Sequence, residues 1–315
     1  MSTESPKTNI ERLVLKTNTL TVEVLPALGG KIASMRRDGI ELLQQPLRPY
    51  APRNLTMGFE QSDASGIDEC LPSVAACDVN TTAGVAHVPD HGEFWRLPCA
   101  VEQLNPASAR LTATGSVLPL RFERTLEVED DALRIDYRLE NVGEVKVGYA
   151  WSAHPLFAVD AGDRIALPLS VEQVHVEGSG GKRLGDTASV HSWPVTELPD
   201  GSAARLDLVG NVSDNIGDKV YARSPAEGWA ALERKRAGLR VTVAFDPVAS
   251  PWLGLWLCYG GWPEGQTERQ YCVALEPCTA PVDSLAIAIE KGLATTLAPG
   301  QVSQWWMRIE ANLVS

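Results

Sequence analysis

Runs of alternating apolar and polar residues place the strongest constraint on what this chain can fold into. In LRIDYRLEN, Leu133, Ile135, Tyr137 and Leu139 alternate with Arg134, Asp136, Arg138 and Glu140. Leu239, Val241, Val243 and Phe245 repeat the pattern in LRVTVAF, as do Leu20, Val22 and Val24 in LTVEVLP. Near the end, Trp305, Met307 and Ile309 share one face of SQWWMRIE. A period of two turns one face to a core and the other to water, and a strand has that geometry. Turn residues separate the runs: Asp130-Asp131 between RTLEVE and ALRIDYRLE, and Arg236-Ala237-Gly238 between WAALERK and LRVTVAF. Both joints predict hairpins. No segment sustains a helical period, and DSLAIAIEKG is the best short helix candidate. The expectation is an all-β protein, a large antiparallel β-sandwich built as a single domain over residues 1–315. If the chain is divided in two, LPDGSAARLD is the boundary.

Charge narrows the partners. The chain carries 28 Lys+Arg against 40 Asp+Glu, a formal net charge of −12. Nucleic acid and anionic membrane both reward basic patches, so neither is expected as a partner. The N-terminal MSTESPKTNIERL is polar and lacks an apolar signal core, and no run approaches transmembrane length. Cysteines stand at 70, 77, 99, 258, 272 and 278, with no Cys-x-x-Cys pair and no zinc spacing. They read as reduced, mostly buried thiols of a cytoplasmic protein, with three disulfides in an exported protein as the rival reading.

Four segments break the alternation and crowd polar residues among glycine, proline and tryptophan, the look of functional loops on a β scaffold. GFEQSDASGIDECLPSV carries Glu60, Asp63, Asp68 and Glu69, either a solvated acidic loop or part of a site. HVPDHGEFWRLPC places His91 and Glu93 two apart, on one face if the chain is extended, with Trp95 as core or stacking platform. Metal is not expected there, because nothing supplies the remaining ligands at a telling spacing. YAWSAHPLFAVD sets His154 in an apolar run before Pro155, which drives the histidine to an extended backbone. A histidine there is either a core residue satisfied by a carbonyl or a proton donor on a pocket floor. VALEPCTAPVDSL ends an apolar run on Glu276, a strand-end carboxylate that is either exposed or in need of partners. Upstream, Trp252, Trp256 and Trp262 suit either a β core or the C–H face of a sugar ring. One histidine and one carboxylate make a proton-transfer toolkit. Walker, dinucleotide and nucleophile-elbow patterns are missing.

Taken in order, LGGKIASM, GIDECLPSV, PDHGEFW, WSAHPLF and ALEPCTAPVDSL resemble the aldose 1-epimerases of the galactose mutarotase-like superfamily, from about Leu28 to Ser284. The resemblance implies a large antiparallel β-sandwich that interconverts the α and β anomers of a free monosaccharide without a cofactor, as a monomer or homodimer. It implies His154 as the acid that protonates the ring oxygen and Glu276 as the base that takes the anomeric proton. His91 and Asp218, in GDKVY, match substrate-binding positions. Asp68, Glu69, Trp95 and Trp262 complete the expected substrate-binding set. The family's Asn-Arg pair is replaced by GIDECLPSV, and Arg53-Asn54 lies too far upstream to stand for it. Such chemistry near pH 7 needs a protonated imidazole, raised or oriented by a carboxylate, and an ionised Glu276 supplied with donors. The alternatives are a hexose-6-phosphate epimerase, whose phosphate would use Arg36, Arg37, Arg53 or Arg96, and a catalytically silent carbohydrate-binding protein on the same fold.

Overall fold

The alternating runs form strands where their spacing predicts them. In the computed structural model, which describes residues 10–82 and 84–314, strands Leu120–Glu129, Ala132–Asn141 and Leu239–Phe245 bury every second side chain. Leu133, Ile135, Tyr137 and Leu139 are all buried, as are Trp305, Met307 and Ile309 on Val302–Leu313. Glu129 pairs with Ala132 across the tight Asp130-Asp131 turn, and Arg234 pairs with Leu239, so both expected hairpins are present. The one α-helix among the described residues, Leu285–Glu290, falls in the predicted segment, with Ser284 capping the Ile287 N–H. The polar residues 1–9, read for targeting, lie outside the described residues.

The strands form a large antiparallel β-sandwich. Its eight-stranded sheet runs from Arg164–Ala166 through Trp229–Arg234, Leu239–Phe245, Val302–Leu313, Ala132–Asn141, Leu120–Glu129 and Ser108–Thr114 to Ala100–Asn105. The eleven-stranded sheet has at its centre Ile67–Cys70, Ser152–Ala158, Tyr271–Cys278, Trp252–Tyr259 and Ile216–Arg223, in that spatial order. One core draws on both sheets, from Leu20, Ile32 and Leu255 on one side to Leu126, Ile135 and Val243 on the other. Both sheets mix strands from either side of residues 198–207, a stretch that turns after Val195–Glu197 and returns as the paired strand Ala203–Arg205. All six cysteines are free. Among the described residues no helix is long and apolar enough to cross a membrane.

The two sheets differ in a way that locates the site. Central strands of the larger sheet do not alternate: Ser152–Ala158 and Tyr271–Cys278 are buried almost throughout. A strand buried on both faces needs a second layer over its outer face. Here loops supply that layer, including the segments around Phe59, His91 and Trp262.

Candidate active site

His154 and Glu276 meet because their strands are neighbours in register. Ser152 pairs with Cys278 and Leu156 with Ala274, so the ladder carries His154 opposite Glu276. Directly opposed side chains share a face of the sheet. Pro155 and Pro277 stand beside them and have no N–H to give, and no pairing is formed between the two anchoring pairs. Next in the sheet, Gly254 lies opposite Glu276. A Cβ on Gly254 would stand 3.1 Å from both Glu276 Oε2 and Tyr221 Cε1. The missing side chain therefore makes room for the Glu276 carboxyl group.

Glu276 is fully buried. Its Oε2 accepts from Lys219 Nζ and from Ser152 Oγ at 3.3 Å. Its Oε1 has no hydrogen-bond partner and lies 3.7 Å from His154 Nε2. Both donors meet the expectation that this carboxylate needs partners. Burial and the Glu276 and Asp283 carboxylates act in opposite directions on Lys219, and the carboxylates prevail, raising its pKa above the ordinary lysine value.

A cavity of about 190 Å³ opens beside this pair. His154, His91, Lys219, Gln270 and Asp283 supply its polar lining, and Phe59, Val74, Trp256 and Trp262 its apolar walls. His91 stacks on Phe59 with ring centroids 4.1 Å apart and stands edge-on to His154 at 5.4 Å. Its Nδ1 is 2.8 Å from Asp90 Oδ1, which fixes the ring's orientation. Burial works against the Asp90 charge, but the His91 contact and the Phe59 N–H hold its pKa at about 2. Trp256 Nε1 donates to Gln270 Oε1 at 3.0 Å, which fixes that indole as a wall.

The charge of His154 departs from expectation. Burial, then the nearby His91 and Lys219, push its pKa well below the ordinary histidine value, and the opposing pull of Asp68 does not compensate. The Glu276 carboxylate, 3.7 Å away and shared with Lys219, does not restore it. The imidazole is therefore neutral near pH 7 in the free protein. Its Nδ1 is buried without a partner, so it is not the carbonyl-satisfied core histidine of the alternative reading.

Of the other expected binding residues, His91 and Trp262 line the cavity and four do not. Asp218 faces away: its carboxylate takes Arg183 and Ser179, and it is fully buried. The neighbouring Lys219 faces the cavity instead, as strand alternation requires. Glu69 lies deep in the interior, bound by Trp151 Nε1 at 2.8 Å, Tyr137 Oη at 3.1 Å and Arg124 at 3.3 Å. Asp68 joins Asp63, Lys31 and Arg53 in a buried cluster of two carboxylates and two cations. Trp95 is sealed beneath Phe59, with the guanidinium groups of Arg53 and Arg96 on its ring at 4.5 and 4.3 Å. The expected shared face of His91 and Glu93 is also absent. His91 and Gly92 both adopt left-handed backbone, and the turn sends Glu93 inward to accept from the N–H groups of Ser116, Val117 and Leu118.

The arginines weighed for a phosphate are all engaged elsewhere. Arg36 pairs with Glu23 and Glu41, Arg37 with Asp38 and Asp131, and Arg53 with Asp63 and Asp68. Arg96 is spent on the carbonyls of Gly92, Met57 and Asp90. None of the four lines the cavity, and the cation that does, Lys219, is already paired.

This arrangement of sheets is the galactose mutarotase-like fold. Among solved structures, Slr1438 protein from Synechocystis sp. PCC 6803 superposes with a TM-score of 0.73 at 16% identity, over 99% of this chain and 100% of that one. A galactose mutarotase-like protein from Lactobacillus casei ATCC 334 gives 0.71 at 17% identity, over 96% and 100%. A galactose mutarotase related enzyme from Lactobacillus acidophilus gives 0.69 at 14%, over 97% and 98%. No protein-family model matches the sequence, and no curated protein matches it.

Proposed function

We propose that the protein is an aldose 1-epimerase, which equilibrates the α and β anomers of a free monosaccharide by opening and closing the ring. The observation that carries this reading is the juxtaposition of His154 with Glu276 at 3.7 Å, beside a small cavity walled by Trp256 and Trp262. Ring opening needs one group to take the anomeric proton and another to give a proton to the ring oxygen. His154, His91 and Lys219 are the proton-carrying cationic or imidazole groups on the cavity wall, with Asp283 opposite in charge. The tryptophan faces offer the C–H side of a pyranose an apolar surface, while Gln270 and Asp283 can bind hydroxyls. No group in this chemistry calls for a metal or a redox partner. A neutral sugar is the better fit than a phosphorylated one, since the cavity wall offers no unpaired cation among the described residues.

Polarimetry tests the reading. Freshly dissolved α-glucose and α-galactose should reach equilibrium faster with the wild-type protein than in buffer. His154→Ala should lose that acceleration by a factor of about 10² or more. Sugar binding without acceleration of any free aldose would instead make the protein a silent carbohydrate-binding member of the fold.

A further inference from the structure

Glu276 is a buried carboxylate with one oxygen held and the other free, and the register of the sheet explains the division. Tyr221, Gly254 and Glu276 stand opposite one another across three strands, with His154 next in the same row. Gly254 leaves a gap in that row, and Glu276 Oε2 lies over it, 3.1 Å from where a Cβ would stand. Lys219 is two residues from Tyr221 and so shares its face of the sheet. Its Nζ reaches Oε2, and Ser152 Oγ donates to the same oxygen at 3.3 Å. Oε1 has no hydrogen-bond partner and stands 3.7 Å from His154 Nε2.

We propose that Lys219 and Ser152 are positioning residues, which clamp Oε2 so that Oε1 alone is left to take the anomeric proton beside His154. This inference rests on the epimerase reading above, with the roles the resemblance implies for the pair. Glu276 then takes the proton of the anomeric hydroxyl, and the electrons left on that oxygen form the aldehyde carbonyl. The bond from the anomeric carbon to the ring oxygen breaks, and the ring oxygen takes a proton from His154. Both protons return when the ring closes on the other carbonyl face. The clamp stops the carboxyl group from turning, so the accepting oxygen keeps one direction. The ion pair also stays intact through the reaction, since the oxygen that accepts is not the one Lys219 holds.

The charges around Glu276 agree with this role. Cys70, Cys272, Cys278 and Tyr221 lie about the carboxylate, and burial raises the pKa of all four, so they stay neutral. Burial, His91 and Lys219 leave His154 neutral as well. Among the described residues, Lys219 is therefore the one cation paired with this buried charge. On its other side its Nζ lies over the Tyr221 ring at 5.3 Å. The Asp283 carboxylate, which accepts from the Tyr221 hydroxyl, attracts the same ammonium. A carboxylate buried without its cation takes up a proton more readily.

The test is anomer exchange read by NMR after subtraction of the buffer rate, with kcat and KM separated and kcat/KM followed against pH. Lys219→Met should lower kcat about 10²-fold while KM changes less than about threefold. The acid limb of its profile should stand at higher pH than that of the wild type. Lys219→Arg, which restores the cation, should recover part of kcat and bring the acid limb back toward the wild-type position. Ser152→Ala, which removes the second donor, should lower kcat several-fold at unchanged KM. A Lys219→Met variant that raises KM and keeps kcat would overturn the inference, because Lys219 would then serve the sugar and not Glu276. So would an acid limb that does not move. If Lys219→Met fails to fold by circular dichroism, Ser152→Ala decides, and a kcat at the wild-type level there overturns the clamp. A wild type inert toward every free aldose would sink the epimerase reading itself, whereas an active wild type whose variants miss these outcomes sinks only this inference.

Discussion

The imidazole of His154 and the carboxyl group of Glu276 sit 3.7 Å apart, yet their surroundings set them different tasks. Glu276 has two donors on one oxygen and no exposure, while His154 has a buried Nδ1 without a hydrogen bond and a place on the cavity wall. Sequence reasoning located both residues through the resemblance, but it left the charge of His154 on the wrong side of neutrality. The reason is that a histidine's charge depends first on its burial and then on neighbours distant in the chain, and Lys219 was invisible as one of them. The buried cluster around Arg53 is a second case. Arg53 resembles a sugar-binding arginine only by type; it holds Asp63 and Asp68 apart from solvent. Arg53→Met would leave two carboxylates sharing Lys31, and is expected to cost about 3–5 kcal/mol. Urea denaturation would show it as a lower midpoint, while a variant as stable as the wild type would contradict the cluster's role.

At the level of elements, alternation was enough to find the strands of the eight-stranded sheet, because one face of that sheet meets water. It failed for the central strands of the larger sheet, which are buried on both faces and so show no period. The same gap explains the exchange of Asp218 for Lys219. Adjacent strand residues point opposite ways, and with both faces buried nothing in GDKVY says which of the two meets the cavity. Asp283 lay within a quoted motif but was passed over for Glu276, and Phe59 and Gln270 carry no local signal at all. Gly254 is legible only from the structure. Gly254→Val would press against Glu276 and Tyr221, costing about 1–3 kcal/mol of stability. Because the displaced group is the site's own carboxyl, anomer exchange should fall more steeply than that stability loss alone accounts for. Retained activity would mean that the ion pair has slack.

For the whole molecule, burial of charge makes stability depend on pH in two stages. The folded protein refuses a proton at His154 that the unfolded chain binds below about pH 6.5, so stability declines as pH falls through that range. Asp63 is opposed by burial but held at about 2 by Lys31 and Arg53, against 3.8 for an ordinary aspartate. Its contribution, about 2 kcal/mol, is present above pH 4 and lost as pH falls toward about 2. Asp90 behaves alike, also near 2, though its partial exposure makes its share smaller. Thermal melts from neutral to acid pH should show both stages, and His154→Ala should remove the first. A wild-type melt flat between about pH 6.5 and about pH 5 would contradict a neutral buried His154.

The proposed ring opening takes place in one small cavity whose wall carries an imidazole and an ammonium. Magnetisation transfer between the α and β anomeric protons of hexoses and pentoses measures that chemistry directly, at equilibrium and without a coupled enzyme. The account predicts exchange well above the buffer rate for at least one unphosphorylated aldose with the wild type, and exchange at the buffer rate with His154→Ala. Exchange at the buffer rate for every aldose with folded wild-type protein, or exchange that survives in His154→Ala, would contradict it.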